Sequence, residues 1–221
     1  MQKAGKKIII LGASRGLGRA LYQQLSEANP AAQFLLVSRK IENLEVMSNT
    51  KKYAQDFSKI VIDEIFFTEI KKFNPTEIIY CAGGGPYGNF ETKKWSDHAW
   101  AISVNFLYPA QLIHLLLDQK SEFANLKSFT AIGSSVAEDK PDAKASSYCA
   151  AKHALKGLMT TLQTENSSKI QFKLFSPGYM LTDLLPPNTA PRLQNLAANP
   201  AEVAKKLAQF LDSDALTWTS S

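Results

Sequence analysis

Apolar and polar positions change along the chain in blocks that match strands and helices in turn. The first block, 7–11, is a lysine followed by three isoleucines and a leucine, and it ends at Gly12. Such a run is typical of a parallel strand that is buried on both faces. Further strand signals lie at 34–37, 52–55, 77–80, 128–132 and 170–175, with a short seventh candidate at 216–219. Helical patterns separate them, at 18–27, 58–73, 94–120, 147–164 and 201–211.

This regular alternation predicts an α/β fold, a Rossmann-like doubly wound parallel sheet of six to seven strands flanked by helices. A chain of 221 residues fits a single domain, 1–221. The segment 40–50 leaves little room for a second crossover helix, so we expect that corner to be abbreviated. Pro109 lies inside the long pattern 94–120 and predicts a bend or a boundary within it.

Charge and composition exclude several classes of function. The net charge is +5, but the lysines form scattered pairs and no basic stripe, so no nucleic-acid partner is predicted. No apolar run approaches the roughly 18 residues that span a bilayer, and the first residues lack a signal-sequence pattern. Cys81, Cys149 and the three histidines have neither disulfide-framework nor metal-site spacing. We therefore expect a cytoplasmic protein with reduced thiols, no membrane association and no metal.

The loop after the first strand, Gly12-Ala13-Ser14-Arg15-Gly16-Leu17-Gly18, has the composition of a nucleotide-binding turn. Glycines there allow a tight turn and a close approach of the backbone to phosphate. The helix that follows adds amide donors and a favourable dipole for a pyrophosphate. Strand, loop and helix occur in the required order.

Tyr148 and Lys152 place a phenol and an ammonium four residues apart, on one face of a predicted helix. A free tyrosine has a pKa of about 10 and exchanges protons poorly at neutral pH. A nearby fixed cation stabilises the phenolate and lowers that pKa. Ser135, at the end of a predicted strand, lies thirteen residues before the tyrosine.

Together these motifs resemble the short-chain dehydrogenase/reductase family, over residues 7–183. The glycine arrangement G-x-x-x-G-x-G and the Y-x-x-x-K pair both match, and other matching positions are Asp56, Ala82, Gly83, Asn105, Ser135, Pro177, Gly178 and Thr182. Two features depart from the family pattern. Cys81-Ala82-Gly83 stands where Asn-Ala-Gly is usual, and the chain ends soon after its last helix without the usual glycine-rich ending.

The resemblance implies a role for each catalytic candidate. Tyr148 would donate a proton to a substrate carbonyl as hydride arrives from a nicotinamide, and Lys152 would lower the tyrosine pKa and hold the nicotinamide ribose. Ser135 would position the carbonyl oxygen, in preference to Ser134 because of the thirteen-residue spacing. Asn105 would support a proton relay through its helix backbone. The implied cofactor-binding residues are Gly12, Ser14, Arg15, Gly16, Leu17, Gly18, Ser38, Arg39, Asp56, Phe57, Ala82, Gly83, Lys152, Pro177, Gly178 and Thr182.

The end of the second strand indicates which nicotinamide cofactor is bound. NAD-preferring enzymes usually place an acidic residue there to hold the ribose hydroxyls. This chain has Ser38-Arg39-Lys40 instead, with Arg15 in the glycine loop. Two guanidiniums could bind the 2′-phosphate of NADP with bidentate geometry. The sequence therefore predicts NADP(H).

Together these inferences predict an NADPH-dependent oxidoreductase that transfers hydride to a small aldehyde or ketone. The alternatives are a non-catalytic NADP-binding regulatory protein and, within the same family, a pteridine or quinone reductase. The substrate cleft is expected between the loops 83–90, 135–147 and 179–200. The expected partners are a small-molecule carbonyl substrate and a second copy of the chain, in a homodimer through the helices 94–120 and 147–164. Candidate cleft residues are Tyr87, Phe90, Ala137, Glu138, Tyr179 and Met180.

Overall fold

The computed structural model describes residues 5–138, 142–165 and 170–220. They contain a seven-stranded sheet of order β3-β2-β1-β4-β5-β6-β7 in which every neighbouring pair is parallel. The predicted Rossmann-like sheet is confirmed, with the short seventh candidate included as a strand. The strands are β1 (Lys7–Leu11), β2 (Gln33–Val37), β3 (Thr50–Tyr53), β4 (Glu77–Tyr80), β5 (Ser128–Ile132), β6 (Gln171–Ser176) and β7 (Thr217–Thr219).

Seven α-helices connect the strands of the described chain. They are α1 (Gly16–Ala28), α2 (Glu64–Phe73), α3 (Trp95–Ile102), α4 (Tyr108–Asp118), α5 (Ser146–Glu165), α6 (Ala190–Leu193) and α7 (Pro200–Leu211). The predicted start of α2, at residue 58, is six residues too early. Asp63 caps this helix, because its carboxylate accepts hydrogen bonds from the amides of Ile65 and Phe66.

Between β2 and β3 the chain makes no helix, as its length predicts. The Tyr22 hydroxyl of α1 secures this short connection. It accepts a hydrogen bond from the Met47 amide at 2.9 Å and shares one with the Thr50 hydroxyl at 3.0 Å. The third strand begins at Thr50, two residues before its predicted start, where it pairs with Phe34.

Two apolar layers cover the sheet, and alternate residues of each strand supply them. In β1, Ile8 and Ile10 pack with the layer of α1 and α7, whereas Ile9 and Leu11 pack with the layer of α2, α4 and α5. Successive side chains of a strand point to opposite faces, so a strand that is buried on both faces must be apolar throughout. This explains the unbroken hydrophobic run of β1, from Ile8 to Leu11.

The predicted helix 94–120 is one helical stretch, Trp95–Asp118, with a π-helical turn at Ser103–Leu107 between α3 and α4. Pro109 lies in the first turn of α4 and therefore marks the predicted boundary. The stretch is long and apolar enough to cross a membrane by length and composition alone. In this protein half of its most apolar window is buried. Its buried face, which includes Tyr108, Leu112 and Leu116, belongs to the core.

A buried lysine fixes the last helix against the sheet. The Lys173 ammonium, on β6, donates hydrogen bonds to the carbonyls of Phe210, Leu211 and Ser213 at 2.6–3.2 Å. A cation is favourable at the C-terminal end of a helix, where free carbonyls and the helix dipole are negative. The chain then returns as β7 beside β6, with Trp218 stacked on Phe175.

Candidate active site

The loop from β1 to α1 is shaped by close backbone contacts that only glycine permits. Gly12 has a φ of +94°, and a Cβ added there would lie 2.5 Å from the Ala82 nitrogen. A Cβ on Gly18 would lie 2.3 Å from the carbonyl oxygen of Gly12. Helix α1 begins at Gly16 with no side-chain cap and no acidic residue in its first turn. Its first amides are therefore available to an anion such as a pyrophosphate.

This loop borders a cavity of about 770 Å³ at the carboxyl ends of the strands. Every residue of the predicted cofactor site lines the cavity except Gly18, which packs beneath the loop. The sequence reasoning missed other lining residues, among them Arg19, Ser58, Cys81, Trp100 and Leu181. Because the cavity extends from the glycine loop to Lys152 and Thr182, the residues present fit a dinucleotide.

Polar side chains meet at the end of this cavity next to β2. The hydroxyls of Ser14 and Ser38 are 2.8 Å apart and join the glycine loop to the end of β2. Burial acts to raise the pKa of Asp56, but hydrogen bonds from Ser58 and the positive charge of Arg39 lower it overall. Arg15 is mostly exposed and pairs with Asp183 at 3.2 Å. This end of the cavity therefore carries both cations and carboxylates. Arg39, two residues after β2, is an exposed cation that lines it.

The predicted tyrosine and lysine lie one turn apart on α5. The Lys152 amine is buried and donates a hydrogen bond of 2.7 Å to the carbonyl of Ile132, the last residue of β5. It lies 5.4 Å from the centre of the Tyr148 ring. Burial lowers the pKa of Lys152 to about 7, and the neighbouring Cys81 side chain acts in the opposite direction. Loss of water thus outweighs the effect of any neighbour on this amine.

Burial also controls the proton affinity of Tyr148. It raises the pKa of the phenol to about 12, and a hydrogen bond with the Ser134 side chain acts in the opposite direction. Burial is the largest influence on this pKa in the protein alone, and the lowering effect expected of Lys152 stays a prediction. A phenol with a raised pKa is protonated at neutral pH, and the protonated form is the one that can donate a proton.

Ser134 and Ser135 occupy different positions around the tyrosine. The thirteen-residue spacing favours Ser135, but Ser134 is the serine whose side chain acts to lower the pKa of Tyr148. Ser134 lines both the large cavity and a smaller one beside it, whereas Ser135 lines only the smaller one. The two residues begin a single 3₁₀ turn after β5, and residue spacing does not distinguish them.

Asn105 lies in the π-helical turn and supports the segment after β4 through hydrogen bonds. Its amide nitrogen donates to the carbonyls of Gly84 and Ala101, and its amide oxygen accepts from the Gly84 amide. Neither cavity is lined by Asn105. Its side chain therefore holds the glycine segment after β4 in place, and a part in a proton relay stays a prediction.

The smaller cavity has a volume of about 90 Å³ and adjoins Tyr148. Three of the predicted cleft residues, Tyr87, Tyr179 and Met180, line it. Asp142 and the apolar residues Leu184, Leu185 and Pro186 also line it; they lie within the predicted cleft loops 135–147 and 179–200, although the sequence does not single them out. The lining residues come from 85–87, 134–136, 142–148 and 178–186, while residues 139–141 of the predicted cleft loop lie outside the described chain.

The other three predicted cleft residues lie elsewhere. Glu138 is engaged by the Lys156 ammonium and the Ser176 hydroxyl. Phe90 is 51% exposed and packs on the His98 ring, and Ala137 is buried outside the cavity. No group of three or more possible metal-ligating side chains occurs among residues 5–138, 142–165 and 170–220.

Comparison with curated proteins finds distant relatives that are longer than this chain. It is 29% identical over 179 residues to a 3-ketodihydrosphingosine reductase TSC10 of Yarrowia lipolytica, covering 73% of this chain and 48% of the relative. It is 28% identical to an 11-beta-hydroxysteroid dehydrogenase-like 2 of Arabidopsis thaliana, covering 83% and 62%. The chain thus spans about half to three fifths of the length of these relatives.

Solved structures share the fold over almost the whole chain. A 4-hydroxyisoleucine dehydrogenase complexed with NADH has a TM-score of 0.82 at 21% identity, covering 95% of this chain and 92% of that one. An alcohol dehydrogenase of Thermococcus sibiricus complexed with 5-hydroxy-NADP has a TM-score of 0.77 at 20% identity, covering 98% and 96%. The family model for short chain dehydrogenases matches residues 6–192. With its parallel sheet, glycine loop and paired Tyr148 and Lys152, the chain belongs to the short-chain dehydrogenase family of oxidoreductases.

Proposed function

We propose that this protein is an NADPH-dependent reductase of small aldehydes or ketones. One observation carries the proposal: Tyr148 lines both the cavity of about 770 Å³ and the cavity of about 90 Å³. The large cavity has the glycine loop and helix N-terminus that suit a dinucleotide, and the small one has the size of a compact organic substrate. A proton donor between them is placed to act where the two reactants meet.

The side chains around Tyr148 have separate roles in this reaction. NADPH supplies the hydride when it is bound in the large cavity. The Tyr148 phenol, which is protonated at neutral pH, donates its proton to the carbonyl oxygen as negative charge develops there. Ser134 lines the same cavities as the phenol and acts to lower its pKa, so it stabilises the phenolate that remains. Ser135 lines the small cavity and is placed to donate a hydrogen bond to the same carbonyl oxygen.

Lys152 is placed to act on the cofactor side of the tyrosine. Its amine lines the large cavity and is held by the carbonyl of Ile132, which leaves further N–H donors for the hydroxyls of a nicotinamide ribose. Thr182 lines both cavities and is placed to bind a carboxamide. These contacts would orient the nicotinamide toward the small cavity.

The preference for NADPH is supported by the side chains at the end of β2. Ser38 and Arg39 line the large cavity there, and no carboxylate occupies either position to bind a ribose diol. Arg39 is exposed, and its planar guanidinium suits a phosphate.

Replacement of the proton donor tests the reductase function. We expect Tyr148→Phe to lower kcat/KM for a reducible aldehyde or ketone at least roughly 100-fold, because positioned proton transfer contributes that much or more. The measurement is the loss of NADPH absorbance with a panel of aldehydes, ketones, diketones, quinones and pterins. NADPH affinity, from a fluorescence titration, should change little.

Tyr53→Phe is the matched control, because Tyr53 lines neither cavity. It should keep the wild-type rate. Tight NADPH binding with no turnover of any compound by the wild type would contradict the reductase and favour a cofactor-binding regulatory protein. Full activity in Tyr148→Phe would contradict the role of the phenol.

The buried amine of Lys152 predicts a pH dependence of stability. Its pKa is lowered from 10.5 to about 7, so between pH 7 and pH 10 the unfolded chain binds the proton more tightly than the folded one. The free energy of unfolding should therefore rise with pH in this window. Below about pH 7 both states bind the proton, so this gain in stability is absent there. Relative to Lys152→Met, we expect the wild type to gain at least about 1 kcal/mol between pH 7 and pH 10 in urea unfolding.

The exposed Lys206 provides the control for this effect. Lys206→Met should give a stability curve that runs parallel to that of the wild type across the same range. A constant difference between the wild type and Lys152→Met would show that the amine is not desolvated as the structure places it.

Cofactor preference is tested at Arg39. We expect the wild type to bind NADPH at least about tenfold more tightly than NADH, a difference of roughly 1.4 kcal/mol. Arg39→Ala should remove most of this difference and leave NADH affinity within about twofold, because only NADPH carries the 2′-phosphate. Fluorescence titration of both nucleotides measures it. Lys40→Ala, an exposed neighbour outside the cavity, should retain the preference. Equal affinities in the wild type would overturn the assignment.

A further inference from the structure

The smaller cavity carries a charge on an otherwise neutral wall. Asp142 is the one residue with a charged side chain among its described lining residues, which are otherwise apolar, hydroxyl-bearing or glycine. The resemblance to known dehydrogenases gives no role to this position, and the sequence pattern does not single it out. A carboxylate beside the reacting centre nevertheless affects every substrate that enters.

The contacts of Asp142 fix its carboxylate and leave it able to bind more. One oxygen accepts a hydrogen bond from the Lys144 amide at 3.1 Å, and the other accepts from the Tyr179 hydroxyl at 3.1 Å. Each carboxylate oxygen can accept two hydrogen bonds, so with respect to the described residues both retain a free site. The Lys144 side chain is exposed, and among described residues no cation forms an ion pair with Asp142.

Burial and the negative charge of Asp142 raise the pKa of two phenols in this cavity. Burial raises the pKa of Tyr179 to about 12, and the charge of Asp142 adds to the rise. The pKa of Tyr87 is raised by burial and by Asp142 as well. Both tyrosines line the cavity. The three side chains therefore form a polar wall in which the carboxylate is the acceptor and the phenols stay protonated.

We infer that Asp142 determines substrate specificity, and that the carbonyl compound reduced in this cavity carries a protonated amine near its carbonyl group. This inference rests on the proposed reductase function. Because the cavity is only about 90 Å³, a substrate whose carbonyl contacts Tyr148 has its other groups close to this wall. An ammonium there would bind the free carboxylate sites, and a hydroxyl would bind them more weakly.

The same geometry disfavours anionic substrates. A carboxylate on the substrate would meet Asp142 in a partly desolvated cavity, where like charges repel more strongly than in water. The apolar residues Leu184, Leu185 and Pro186 complete the wall and offer such an anion no cationic partner. The amine, neutral and acid forms of one small ketone should therefore bind in that order.

The binding preference can be measured without turnover. The probes are three alcohols of similar size, 1-amino-2-propanol, 1,2-propanediol and lactate, each titrated at pH 7 into the protein with NADPH and followed by NADPH fluorescence. We expect the amine to bind at least about tenfold more tightly than lactate, equivalent to roughly 1.4 kcal/mol. Asp142→Asn should reduce this ratio at least about tenfold, since it removes the charge and keeps the shape.

Two further variants separate the charge from its surroundings. Asp118→Asn removes a carboxylate from the exposed end of α4 and should leave the ratio unchanged. Tyr179→Phe removes the hydrogen bond to Asp142 and keeps the charge, so the amine should remain preferred. Loss of the preference in Tyr179→Phe but not in Asp142→Asn would overturn the assignment to the carboxylate.

The outcomes distinguish this inference from the proposed function. Equal binding of the amine and lactate by the wild type, or an unchanged ratio in Asp142→Asn, would overturn the inference even if neutral ketones are reduced. Preferred amine binding that depends on Asp142 would support it. If the parent ketones aminoacetone, hydroxyacetone and pyruvate were then not reduced, the reductase function would fail while the specificity of the cavity would remain.

Discussion

A buried lysine links the helix that carries Tyr148 to strand β5 of the sheet. The Lys152 amine forms a hydrogen bond of 2.7 Å with the carbonyl of Ile132, at the end of β5. An amine without water must find such a partner, and burial lowers its pKa to about 7. Because Tyr148 lies one helical turn before Lys152, this bond also fixes where the phenol stands. The boundary between the two cavities is set by that position.

The cavity walls around the Tyr148 phenol require glycines at positions where a Cβ atom would clash with a neighbouring group. Ala82 follows β4 and lies against Gly12, and a Cβ on Gly84 would lie 2.4 Å from the Trp100 ring. Asn105 then holds the Gly84 backbone with hydrogen bonds to both its amide and its carbonyl. The chain after β4 can therefore pass closely between the glycine loop and α5, and its residue Gly85 lines both cavities.

Much of this arrangement could be predicted because it depends on local patterns. Apolar runs located the strands, since a strand buried on both faces leaves a strong signal, and the cofactor-cavity residues follow strand ends in a parallel sheet. The start of α2 was predicted early because Asp63, a cap, lies within an otherwise helical pattern. The absence of a helix between β2 and β3 followed from chain length alone.

The small cavity could not be predicted in the same way, because its lining depends on contacts between distant residues. Glu138 is drawn away by Lys156 and Ser176, which lie 18 and 38 residues further along the chain. Asp142 lines the cavity together with its hydrogen-bond partner Tyr179, which lies 37 residues later. Ser134 and Ser135 are neighbours on one turn, so only the backbone path decides which hydroxyl meets the tyrosine.

The central claim is that hydride passes from a cofactor in the large cavity to a carbonyl carbon in the small one. The most direct test is to supply NADPH deuterated at C4 of the nicotinamide on each face in turn, with a carbonyl compound that the protein consumes, and to analyse the alcohol by mass spectrometry. The account predicts one deuterium on the carbinol carbon, from one face only. Cofactor oxidation that leaves the alcohol unlabelled with either form would contradict direct transfer.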